Sequence, residues 1–124
     1  MTSFVEPFGT KHVRRLNRLA RFVERSRSFN MNEFFNDCGT AACLAGHGLV
    51  LFERHLPNGK HTDPWVLAEF LTGSADQCAV YNVLFNSVYG AGGAGRSGKK
   101  AAKYIREVFI PSMKKGAPPL VRTP

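Results

Sequence analysis

Between Thr10 and Ser28 the apolar positions Val13, Leu16, Ala20 and Val23 step by three or four residues, and Leu19 and Phe22 widen the stripe. That period predicts an α-helix from Thr10, a residue type that caps helices, to about Ser28. A Phe- and Asn-rich bridge follows. Asp37 then reads as the cap of a central helix from Cys38 to about His55, with Leu44, Leu49, Val50, Leu51 and Phe52 on its apolar side. Its small residues, Gly39, Ala41, Ala42, Ala45, Gly46 and Gly48, predict close packing against another backbone.

Pro57-Asn58-Gly59-Lys60 is a turn. Thr62 or Asp63 caps the next helix, with Pro64 in its first position and Gly73 near its end. Ser74 is expected to cap a helix from Ala75 to about Val88. A last helix runs from about Lys99 to Phe109 and stops at Pro111. No internal repeat and no strand pair interrupts this series. The pattern predicts an all-α fold, a compact single-domain bundle of four or five helices over residues 10–110. An extended lead covers residues 1–9. The glycine-rich stretch 90–98 is expected to be a flexible loop, and residues 111–124 a flexible basic, proline-rich tail.

Composition changes this picture in two ways. The 124 residues are enough for one core, and no apolar run approaches the length of a membrane span. With an odd count of three cysteines and no signal-peptide pattern, the expectation is a reduced, cytoplasmic setting. The second change is charge. Lys and Arg number 17 against 9 Asp and Glu, a net charge of +8. Such a field attracts phosphates or acidic protein faces.

The positive charge is also ordered. Arg14, Arg18, Arg21 and Arg25 repeat at helical spacing on a face other than the apolar one, with Glu24 as the one acid nearby. A second group, Arg96, Lys99, Lys100 and Lys103, follows the glycine loop. Gly93 to Lys99 matches the first part of a phosphate-binding Gly-x4-Gly-Lys pattern, but Lys100 stands where a magnesium-binding Ser or Thr belongs. The sequence therefore does not predict a nucleotidase; a looser anion cradle before the last helix is the reading that survives.

Cysteine chemistry is the competing reading. Cys38 stands after a capping aspartate, where a helix dipole favours the thiolate, and the amides of Gly39 and Thr40 could serve as oxyanion donors. His47 lies nine residues along the same predicted helix, about 13 Å of rise, too far to act as its base. His61 can fold back from its loop, with Asp63 or Asn58 to orient it. Cys43 and His47, spaced i and i+4, could share a metal, but zinc needs two further ligands. A core thiol with a surface histidine is the expected arrangement, and no metal or cofactor is predicted.

Two resemblances accompany these residues. Asn36-Asp37-Cys38-Gly39 resembles the nucleophile segment of SUMO-protease-type cysteine peptidases, in which the histidine precedes the cysteine by a long stretch of sheet; here His12 alone precedes Cys38. The wider set Phe29, Met31, Cys38, Gly39, Thr40, Cys43, Ala45, Gly46, Ala68, Leu71, Leu84 and Phe85 resembles a group of small bacterial and phage proteins with no assigned activity. That resemblance implies a phage or mobile-element origin, hence a host cytoplasm, and implies no function. The leading expectation is a small basic binding protein for nucleic acid, a nucleotide-like ligand or an acidic host protein, acting in the last case as an inhibitor. A cysteine-dependent enzyme using Cys38 and His61 is the alternative.

Overall fold

Helix α1 (Thr10–Glu24) is the element on which the others assemble. A computed structural model of the chain describes residues 6–33, 42–57, 63–73, 75–86 and 90–119. In it α1 packs against α5 (Gly98–Tyr104) most extensively, then against α2 (Leu44–Leu51) and α3 (Pro64–Thr72). Helix α4 (Gln77–Leu84) lies against α3 and against a 3-10 turn at Gly90–Ala94. A π turn (Ile105–Phe109) carries α5 into α6 (Ile110–Lys114), making a fifth helical rod. Among the described residues there is no strand, and the fold is an all-α bundle.

The stripe of α1 buries His12, Leu16, Leu19, Ala20 and Val23. These contact a core that includes Leu44, Phe52, Leu67, Leu71, Leu84, Ile105 and Phe109, all fully buried. Thr10 is the first helical residue and does not cap. Gly9 holds the cap position, and the side chain of His12 reaches back, its Nδ1 accepting the Gly9 N–H at 2.9 Å. Helix α1 ends at Glu24, earlier than the apolar period predicts, because the chain turns at Ser26 and Ser28.

Three further boundaries depart from expectation. Helix α2 begins at Leu44, not at Cys38. Its cap is Cys43, whose Sγ accepts the Gly46 N–H at 3.4 Å. Helix α4 is capped by Asp76, whose Oδ1 accepts from the Ala79 N–H at 3.2 Å; Ser74 lies outside the described residues. Pro111 does not stop the last helix. It falls in the first turn of α6, just past the π turn, where the amide proline lacks is not required for the ladder. The Asp63–Pro64 start is as expected: Asp63 Oδ1 accepts the Trp65 N–H at 2.9 Å.

The glycine-rich stretch is an ordered element and not an open loop. Ala91 and Gly92 are buried, and the Met31 N–H donates to Gly95 O at 2.8 Å. Gly98 lets α5 meet the end of α1: a Cβ there would stand 2.0 Å from the carbonyl oxygen of Val23. Gly48 plays the corresponding part between α2 and α3, where a Cβ would meet the end of Leu67 at 2.7 Å.

Candidate basic groove

The 100° step of an α-helix sets Arg14, Arg18, Arg21 and Arg25 about half a turn from the buried stripe. All four are exposed. Among the described residues the ion pairs are Lys11–Glu6 and Arg106–Glu24, so none of these four arginines is matched to a carboxylate. The line is therefore free of ion pairs along one helix face, with the field of Glu24 reaching its Arg25 end.

Two concavities flank it. The larger, about 420 Å³, is walled by Lys11, Arg14, Arg15 and Arg18 over Phe52 and Phe70, with His55 at its rim. The smaller, about 220 Å³, lies between Arg18, Arg21, Phe22, Arg25 and Leu51. Arg18 lines both, so the two concavities adjoin at that side chain. Among the described residues, neither is lined by a carboxylate.

Aromatic rings hold the cations of the larger groove in place. The Arg15 guanidinium lies 3.9 Å from the centre of the Phe70 ring, and its Nη1 donates to Phe70 O at 2.8 Å. Arg18 lies over the Phe52 ring at 5.4 Å. Burial pulls the Arg15 pKa below its ordinary value, Glu6 opposes this and Arg14 adds to it. A guanidinium stays charged under such conditions. The sequence identified Arg14 and Arg18, but not Arg15, which breaks the i, i+4 series; its value comes from Phe70, 55 positions away.

The second predicted cluster is only partly joined to the first. Arg96, Lys99, Lys100 and Lys103 are all exposed. The Glu24 carboxyl is held low first by its hydrogen bond from Arg106, and Arg25 and Lys99 reinforce the effect. Lys99 therefore adjoins the Arg25 end of the line. Lys100 projects about 100° further round α5, and no described hydrogen bond or ring contact ties it, Arg96 or Lys103 to α1. Nor is the glycine stretch an open cradle. The amides of Gly95, Ser97 and Lys100 donate to Gly92 O, Ala94 O and Ser97 Oγ respectively, which leaves none of the three for a phosphate.

The cysteine readings fare differently. Cys38, Gly39, Thr40, Asn58 and His61 lie outside the described residues. Cys43 is buried, and burial pushes its thiol up against the opposing hydrogen bonds from backbone amides. His47 is not a surface residue: it is 2% exposed. Its Nδ1 lies 2.9 Å from Cys43 O and its Nε2 2.7 Å from Ser26 Oγ. A carbonyl oxygen only accepts, so Nδ1 carries the proton and Nε2 accepts from the serine hydroxyl. With both nitrogens engaged, the ring has no free lone pair for a metal. Among the described residues no group of three His, Cys, Asp or Glu side chains could hold one. The Ser26–His47 contact ties the turn after α1 to α2 and fixes the Arg25 end of the basic line.

Comparison with protein families, with curated proteins and with solved structures finds no match to this chain.

Proposed function

We propose that the protein binds single-stranded nucleic acid along the outer face of α1. The observation that carries this reading is the unpaired line Arg14, Arg18, Arg21 and Arg25 set over two adjoining grooves. Successive arginines rise about 4.5 or 6 Å along the helix, a regular spacing that suits a repeating anion better than the irregular carboxylates of a protein surface. The grooves add apolar and aromatic walls, Phe22, Leu51 and His55, against which unstacked bases can lie. A double helix would use the line but not the grooves. Lys99 extends the path beyond Arg25.

Binding of a labelled single-stranded oligonucleotide to the wild type and to a variant with Arg14, Arg18 and Arg21 changed to Glu tests the proposal. The variant is expected to lose binding while remaining folded, since all three side chains are exposed. Equal binding by both proteins would contradict it.

A further inference from the structure

The two ends of the basic path are not alike. At the Arg25 end, three arginines, Arg18, Arg21 and Arg25, flank an apolar groove. At the Lys11 end, Lys11, Arg14, Arg15 and Arg18 converge on one concavity of about 420 Å³. With Lys11 paired to Glu6, three guanidinium groups remain there, still more than one backbone phosphodiester, with its single charge, can answer. A terminal phosphomonoester carries a charge of about −1.5 to −2 and three acceptor oxygens.

The cations are also held for such a group. Arg15 is fixed from below by the Phe70 ring at 3.9 Å and from the side by Phe70 O at 2.8 Å. Its remaining N–H groups are thus pre-oriented and lose little freedom on binding. Arg18 has the looser ring contact alone, 5.4 Å from the centre of Phe52. The far arginines, Arg21 and Arg25, have no described ring beneath them.

Glu6 marks where the path stops. Its carboxylate pairs with Lys11 and its field reaches Arg15, so a negative charge stands beside the groove at that end. A polyanion continuing past Lys11 would run into it. A strand that ends there would not.

From these three observations we infer that the Lys11–Arg18 groove is a receptor for the phosphorylated end of a nucleic-acid strand. The inference rests on the reading of α1 as a strand-binding face and adds polarity to it. The strand enters beside Arg25 and Lys99, follows the arginine line, and seats its terminal phosphate between Arg18, Arg14 and Arg15, short of the Lys11–Glu6 pair.

The test compares three oligothymidylates of about ten nucleotides, long enough to run the whole helix face of about 22 Å. One carries a 5′-phosphate, one a 3′-phosphate and one neither, each labelled at the end away from the phosphate. A terminal phosphate at one end is expected to tighten binding by about tenfold, the gain of one or two charge-assisted hydrogen bonds. A gain at the 5′ end and a gain at the 3′ end both support the inference and assign the direction of the strand. Inorganic phosphate should compete with the phosphorylated strand more effectively than with the unphosphorylated one. Arg15→Lys should remove the difference between the phosphorylated and unphosphorylated strands, whatever it does to the affinity the three share. Should Arg15→Lys disturb the fold through Phe70, Arg14→Gln, an exposed position, carries the same test. Arg21→Gln should weaken all three strands alike. Equal affinity for the three strands, with binding intact, would overturn the terminal-phosphate assignment alone. Failure of every strand to bind at low salt would overturn the strand-binding reading, and this inference with it.

Discussion

The hydroxyl of Ser26 donates a hydrogen bond to Nε2 of His47 across 21 positions of sequence, at 2.7 Å. The direction is fixed by the other side of the ring, where Nδ1–H donates to Cys43 O. Phe22 and Phe29 pack against the same imidazole, with ring centres 5.5 and 5.6 Å away. Removing the hydroxyl leaves a buried acceptor without a partner, which costs about 1–3 kcal/mol. Ser26→Ala should lower the urea midpoint accordingly, without changing the slope of the transition. An unchanged midpoint would mean that the contact does not hold the turn to α2.

His12 and His47 are both buried, and burial is the first cause holding each pKa below the ordinary 6.5. For His12 the field of Arg15 adds to the effect of burial, Glu6 opposes it and Lys11 adds to it. The unfolded chain therefore takes up these protons before the folded one does. The sign follows: stability is fully present above pH 6.5 and is lost as pH falls below it, until the rings protonate in the folded protein as well. Protonation also removes a specific contact in each case, since His12 Nδ1 must accept from Gly9 and His47 Nε2 from Ser26. Denaturant midpoints measured from neutral pH down to about pH 5 should fall. Replacing both histidines by Gln should flatten that dependence, whatever it does to stability at neutral pH.

Gly98 offers a packing test. A Cβ at this position meets the Val23 carbonyl oxygen at 2.0 Å, a backbone atom that no side-chain rotation can move aside. Gly98→Ala must part α1 from α5, at a cost of about 3 kcal/mol or more. Gly93→Ala is the control, because a Cβ there meets nothing within 4 Å. Thermal melts of the two variants should differ clearly, Gly93→Ala staying near the wild type.

These features divide into those that local sequence encodes and those that distant contacts decide. The α1 stripe and its arginine face were legible because a half-buried helix writes its period into the chain. The Asp63–Pro64 start was legible because cap and first-turn residues act within three positions. Helix α2 was misjudged because Leu44 to Leu49 are buried on every side, so no amphipathic period marks where it begins, and a cysteine sulfur is a weak acceptor that cap preferences do not include. His47 reads as a surface residue because its second partner, Ser26, belongs to another element. The glycine stretch read as a loose loop because its order depends on Met31 and on Gly90, where a Cβ would stand 2.2 Å from Val83 O. Of the candidate site, the exposed arginines were visible in the sequence. Arg15 and the aromatic floor were not, because Phe52 and Phe70 join the groove only through tertiary packing.

The cysteines give a chemical check on α2. Cys43 is buried with its thiol pushed up, and Cys78 is exposed. In a Cys38→Ser protein, a thiol-specific reagent at neutral pH should label Cys78 in the native state and Cys43 only after unfolding. Native labelling of both at similar rates would contradict the placement of Cys43 as the buried cap of α2.

If the α1 arginines act together on a phosphate strand, binding must weaken steeply as salt is added. Four neutralised phosphates predict that the logarithm of the affinity falls with the logarithm of salt concentration at a slope of about −3 for a single strand. Changing Arg14, Arg18 and Arg21 to Gln should bring that slope to about −1 or abolish measurable binding. A wild-type slope near zero, or a slope unaltered by the triple change, would contradict the account.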